Sequence, residues 1–270
     1  MTKKGFNAAV KYIFLGIASF VSLFPLLWML ASATNSSVDI LGGRILPGSY
    51  LLENFKVLLA NTNILRGLWN SFRNAAVATI ASLLVCSIAG YGFEIYHDRG
   101  KDLLMNILLL SMMVPFAVIM IPLFMMFGNA NLLNTTIAFV LPTVATAFLI
   151  FLFRQSTRSF PREIIEAARI EGMGELGIFF RLYVPIMKST YAAAAVITFM
   201  TAWNNYLWPL IIMQKNESKT MPLLIADLIS GYVIDYGVLM LAVSISILPT
   251  VIIFLVLQKN FAEGIISSIK

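Results

Sequence analysis

Residues 163–188 read EIIEAARIEGMGELGIFFRLYVPIMK, one long charged stretch in a chain otherwise dominated by apolar runs. Runs 134–153 and 190–213 flank it, and each has about the roughly 20 residues a helix needs to cross hydrocarbon. Four more runs, about 11–33, 70–93, 103–127 and 238–258, complete the pattern. The 270 residues are 59% hydrophobic and 12% charged, with a mean hydropathy of +0.86. Soluble domains hold about 45–50% and about 25%. No soluble fold hides that much apolar surface, so the bilayer is the solvent. Barrel strands alternate and run about 10 residues, whereas these runs are unbroken. The expected fold is an all-α polytopic membrane protein with six transmembrane helices.

The net charge of +6 reflects loop placement rather than nucleic-acid binding. Lys3, Lys4 and Lys11 precede the first run, and Arg99 and Lys101 lie between the second and third. Arg154, Arg158, Arg162, Arg169, Arg181 and Lys188 lie between the fourth and fifth, and Lys259 and Lys270 follow the sixth. Arg44, Lys56, Arg66, Lys215 and Lys219 fall on the other side, with Arg73 near the boundary. Basic loops face the cytoplasm, which predicts both termini there, in agreement with an even number of spans. The first run is longer than a cleaved signal's roughly 7–15 apolar residues and reads as an uncleaved signal anchor. With Cys86 in a run and His97 beyond its end, no internal disulfide, Cys–His dyad or thiolate–imidazole metal site is expected.

Uphill transport needs a motor. The pair Gly100-Lys101 is followed by Asp102 and lacks the glycine-rich lead-in of a nucleotide loop. The spans carry almost no carboxylates, which ion-driven carriers use as relays. Either the chain conducts passively, as a channel or an ion-driven carrier working without an ATPase, or another polypeptide hydrolyses ATP. An intramembrane enzyme would need paired acids or a histidine cluster at depth, and the sequence offers neither.

In the charged stretch, Pro161 suits the start of a helix, and Glu163 and Glu166 suit its positive end. Gly172 suits a left-handed stop. Residues 161–171 are predicted helical, with Ile164, Ala167, Ala168 and Glu171 on one face. A second helix is predicted over 175–184, striped by Leu176, Phe179, Phe180 and Tyr183 and ended by Pro185. The stretch reads equally as an amphipathic helix lying on lipid or as a docking element. The paired alanines and glycines and the glutamates favour docking.

Glu166-Ala167-Ala168, Gly172 and Val184-Pro185 together resemble the EAA loop of ABC importer permeases. Glu171 stands where that family has aspartate, and Ser189 where a second proline is common. Trp203-Asn204-Asn205-Tyr206-Leu207-Trp208-Pro209-Leu210 resembles a run of the maltose-type carbohydrate branch. So do Asn70-Ser71-Phe72, Gly90-Tyr91-Gly92-Phe93 and the tail Gln258–Gly264, so that the likeness covers roughly 70–264. It implies a type I ABC importer permease fold with a cytoplasmic coupling helix, in a prokaryotic cell (inner) membrane. Residues 1–69 would be the anchor helix and external loop. Residues 70–258 would be the five-helix permease core with its EAA loop at 154–188, and 259–270 a cytoplasmic tail. The function implied is that of a permease subunit in a binding-protein-dependent sugar importer, with oligosaccharide as the substrate class, without enzymatic activity of its own. The implied partners are a second permease, two ATPase subunits that carry ATP and Mg, an external sugar-binding protein, the sugar and membrane lipid. Glu163, Glu166, Ala167, Ala168, Glu171, Gly172 and Pro185 would form the coupling element.

The pathway candidates are Trp203, Asn204, Asn205, Tyr206, Trp208 and Pro209. Asn204 and Asn205 are expected inside the fifth span, where polar side chains face a cavity or another helix. Pro209 leaves the carbonyl of Asn205 without its helical donor. Interhelical bonding and interfacial anchoring suit the same residues. Pro115 and Pro122, seven apart, share a face of the third span, and Pro142 and Pro249 interrupt the fourth and sixth.

Overall fold

The computed structural model describes the backbone of residues 3–267 and the side chains of 10–256 and Gln258. These residues form helices and connecting loops, without a strand among them. Helix α1 is Lys3–Ser32, followed by α2 (Ser37–Leu41), α3 (Leu51–Asn61) and α4 (Ile64–Ile95). Next come α5 (Arg99–Ser111), α6 (Phe116–Asn129), α7 (Thr136–Val140) and α8 (Ala147–Thr157). The charged stretch holds α9 (Arg162–Ile170), α10 (Glu175–Ile178) and α11 (Val184–Ile186). Helices α12 (Lys188–Trp203), α13 (Leu207–Ile212), α14 (Met221–Ile229) and α15 (Tyr236–Ser267) follow.

Val10–Ser32, α4 and Tyr236–Val256 are each long and apolar enough to cross a membrane. The other three expected spans are broken. Helices α5 and α6 meet at 95°, α7 and its following turn meet α8 at 52°, and Glu175–Ile186 meets α12 at 80°. Each such pair is either a broken span or a re-entrant loop. Proline explains two of the breaks. Pro115, without an N–H, stands before α6 in extended conformation, and Pro142 sits in the 3₁₀ turn Leu141–Thr143. Pro122 and Pro249 lie inside α6 and α15, so Pro249 does not interrupt its helix. The expected fifth span also ends early, because α12 stops at Trp203 and 204–206 are not helical.

The chain divides into two compact units, Met1–Leu65 with Leu224–Leu248, and Arg66–Leu223 with Pro249–Lys270. In the first unit, the start of α2 is fastened to the start of α15. The Ser37 hydroxyl donates to Asp235 at 2.9 Å and accepts from the Tyr236 N–H at 2.9 Å. The Asn54 amide donates to the carbonyls of Ala33 and Asn35, both at 3.0 Å, satisfying backbone freed where α1 ends. Helix α15 continues to Ser267 through the start of the expected tail, and the side chains of 259–270 fall outside the described residues.

In the second unit, Cys86 of α4, Met105 of α5, Phe153 of α8 and Ala194 of α12 share one buried cluster. Gly90 makes it possible. A Cβ there would lie 2.5 Å from the Phe153 Cβ and 2.7 Å from the Arg154 nitrogen, so α4 and α8 touch backbone to backbone. A Cβ at Gly92 would meet nothing within 4 Å. Gly90→Ala is therefore expected to cost about 1–3 kcal/mol, read as a lower unfolding temperature in detergent, while Gly92→Ala leaves it unchanged or slightly higher.

Candidate functional site

Helix α9 begins after Pro161, whose extended backbone turns the chain into it, one residue later than expected. Gly172 ends it at φ +79°, as a left-handed stop requires. The Met173 N–H bonds the Ala168 carbonyl at 2.9 Å and the Gly172 N–H bonds that of Arg169 at 3.0 Å, a paired helix cap. Arg169 Nε donates to Glu175 at 2.7 Å, bridging the end of α9 to the start of α10. That carboxylate raises the Arg169 pKa above its ordinary value.

The two alanines part company. Ala168, with Ile165, is buried against Tyr91, Ile178 and Tyr183. Ala167, Glu163, Glu166, Glu171 and Gly172 face outward. The shared face expected for Ala167 and Ala168 is thus split, because the close approach at Ala168 is made by the chain's own core. Ile170 is 88% exposed and Leu176 74%, two apolar side chains on the surface that sequence reading did not single out as a pair. The expected stripe over 175–184 divides likewise, with Phe179 and Tyr183 buried and Leu176 and Phe180 exposed. Pro185 does not end this segment. Phe179–Tyr183 forms a π-turn, closed by the Val184 N–H on the Phe179 carbonyl, and helix resumes as α11. The break falls at Met187, at φ −86° and ψ 17°. Tyr91 of α4 lies edge-on to Tyr183 at 4.9 Å and to Phe179 at 5.4 Å, which joins the segment to α4.

Beside this hairpin lies an ion cluster. Arg154, at the end of α8, reaches Glu94 of α4 at 3.4 Å and also bonds Asp102 of α5. Arg158 reaches Glu94 at 3.5 Å, and Arg162, the first residue of α9, reaches it at 3.7 Å. Glu94 and Arg154 are buried, and His97 pairs with Asp102 at 3.0 Å. Nearby, Asp98 caps α5, and its hydrogen bonds with Lys101 hold the carboxyl below its usual range. Glu94 and Arg154 stand 60 residues apart, and only their positions at the ends of apolar runs hint at the pairing.

The pathway candidates are dispersed. Trp203 is buried and stacks on Phe199 at 5.8 Å. Trp208 is buried, donates from its ring to the Ala138 carbonyl at 2.9 Å and packs edge-on to Phe116. Both rings are covered by the chain's own residues. Pro209 is buried in the first turn of α13, so its missing N–H costs no helical bond. Asn204 and Tyr206 are exposed and Asn205 is half-buried, all at the break between α12 and α13 rather than inside a helix. The Asn70-Ser71-Phe72 motif gains a structural role. The Asn70 amide donates to the carbonyls of Glu217 and Lys219 at 2.8 and 3.0 Å, and Ser71 accepts from the Met221 N–H at 2.7 Å.

The fold is that of an ABC importer permease. It superposes on a chain of a bacterial ABC transporter involved in the import of the acidic polysaccharide alginate. The TM-score is 0.84 over 97% of this chain and 98% of that one, at 21% identity. Residues 82–267 match the family described as binding-protein-dependent transport system inner membrane component, and the chain belongs to that family. Over 261 residues it is 45% identical to the lactose transport system permease protein LacG of Rhizobium radiobacter, covering 97% of this chain and 96% of the relative. It is 32% identical over 258 residues to the arabinooligosaccharides transport system permease protein AraQ of Bacillus subtilis strain 168, covering 94% and 92%. The chain is a multi-pass membrane component of a transport system.

Removing one partner of a buried ion pair leaves the other charge uncompensated. Arg154→Met is expected to destabilise the protein toward the lower end of about 3–5 kcal/mol, since Arg158 and Arg162 remain near Glu94. The double variant Glu94→Gln/Arg154→Met should recover part of that loss in detergent unfolding, and additive losses would show the two residues to be uncoupled.

Proposed function

We propose that this chain is one of two permease subunits of an ATP-driven, binding-protein-dependent sugar importer. It crosses the membrane six times, with α5–α6, α7–α8 and α12–α13 each counting as one broken span, and both termini lie in the cytoplasm. Two ATPase subunits carry ATP and Mg, and an external binding protein delivers the sugar. The names of the lactose and arabinooligosaccharide relatives support the substrate class.

The observation that carries this reading is the hairpin α9–Gly172–α10. Its outer surface offers Glu163, Glu166, Ala167, Glu171 and the exposed apolar Ile170 and Leu176, while its inner surface is packed on the chain's own spans. An anionic leaflet repels glutamates, whereas a cleft on a partner can pair them and cover the two apolar side chains. Closure of the ATPase pair then pushes a rigid element. Its motion passes through the π-turn and Pro185 into α12, through Tyr183 and Tyr91 into α4, and through Arg162 and Glu94 to the same helix end.

Gly172→Asp places a side chain at φ +79° in the cap and a charge in the docking surface. It is expected to abolish sugar uptake while the chain still inserts. Gentle pull-down of the tagged wild-type chain should bring a nucleotide-hydrolysing subunit and a second permease in stoichiometric amounts, and the Gly172→Asp chain should lose the former. Wild-type uptake by the variant, or a wild-type chain that purifies alone, would sink this assignment.

A further inference from the structure

Within the second unit, a cavity of about 210 Å³ opens between the break of α7–α8 and the end of α12. Its polar lining comes from Thr143, Thr146, Thr198, Thr201 and Asn205, and Phe148 adds an aromatic ring that is 43% exposed. Thr143 and Thr201 stand near the middle of the apolar runs 134–153 and 190–213, so the cavity lies at mid-membrane depth. Non-helical backbone at that depth is tolerated only inside protein or against a water-filled space. On the α4 side, the freed carbonyls of the break are taken up by Ser82, which donates to Thr143 at 3.0 Å, and by Cys86, which reaches Val144 at 3.4 Å. The opposite side faces the cavity.

The lining offers both kinds of hydrogen-bonding group. The hydroxyls of Thr143, Thr198 and Thr201 donate to backbone carbonyls at 2.8–2.9 Å, which leaves their oxygens as acceptors. The Thr146 hydroxyl bonds the Cys86 thiol and keeps its oxygen as a further acceptor, while Asn205 uses only its oxygen, as acceptor from the Trp208 N–H at 3.4 Å, and supplies the donor. Among the described residues no charged side chain lines the space, so an anionic group entering it would find no counter-charge. Drug-sized ligand pockets run to about 300–1,000 Å³, and this smaller volume suits one ring rather than a whole oligosaccharide.

We propose that this cavity receives one uncharged sugar ring of the transported substrate in passage, hydroxyls on the threonines and Asn205, ring face on Phe148. The proposal rests on the sugar-importer reading above and adds a contact site within this subunit.

The test uses the complete importer with its binding protein in liposomes, with lactose, maltose and arabinobiose as probes. Uptake and ATP hydrolysis are measured together. In Thr146→Val/Asn205→Leu, uptake per ATP hydrolysed should fall about tenfold, the size of one or two lost hydrogen bonds. Hydrolysis stimulated by the binding protein should stay at the wild-type level, and Thr146→Ser, which keeps the hydroxyl, should transport normally. Unchanged uptake by the double variant overturns the cavity assignment and leaves the importer reading standing. A joint fall in uptake and hydrolysis, with Thr146→Ser equally impaired, assigns these residues to folding and also overturns it. A wild-type importer that takes up none of the three sugars with ATP sinks both readings.

Discussion

In hydrocarbon every backbone N–H and C=O must find its partner within the protein. That constraint decides where this chain bends and what its few polar side chains do. Several departures from helix are met by a side chain spent on the main chain. Asn54 closes the end of α1, and Asn70 and Ser71 hold the segment 217–221. Ser82 and Cys86 serve the break before α8, and Trp208 serves Ala138. Asn134, left-handed at φ 64°, bonds Ile212 through its N–H and accepts from Lys215 and Ser218 through its side chain. Of these, Asn70, Ser71 and Trp208 read as motif or pathway residues in sequence. Several turn out to be structural, fastening loops that would otherwise strand buried carbonyls.

Charge is used differently. The buried Glu94 carboxylate is approached by three guanidinium groups, from Arg154, Arg158 and Arg162. A lone carboxylate at this burial would leave its charge uncompensated, and the arginines share the task of compensating it. Because they belong to the end of α8, the following turn and the start of α9, the cluster fixes the angle at which the hairpin leaves the spans. The aromatic stack of Tyr91, Phe179 and Tyr183 fixes the same junction from the apolar side.

The apolar runs, the glycine stop at 172 and the helix before it were legible because each is a local pattern: length, periodicity and a residue suited to one backbone conformation. The straightness of the spans was not. Pro115 and Pro142 gave a signal for breaks, but Pro122 and Pro249 gave the same signal and sit inside helices. Tertiary packing chooses among prolines. The split of Ala167 from Ala168 followed from which face of α9 meets Tyr183, and spacing along one helix does not reveal that. The tryptophans read as pathway candidates in sequence, because aromatics suit both carbohydrate and core. Only their burial separates the two, and burial depends on residues far away in sequence. The Thr143–Thr146 pair just after Pro142 was a visible clue to a polar gap at mid-run, and it carries no meaning until α12 is set beside it.

The contact at Gly90 fixes how movement can spread. Two helices separated by a layer of side chains can slide, since rotamers adjust. Helices α4 and α8 meet main chain to main chain there, with no adjustable layer between them. The crossing point therefore acts as a fulcrum. A displacement applied at the α9 end of these helices must tilt both about it, and whatever moves one way on the near side moves the opposite way on the far side.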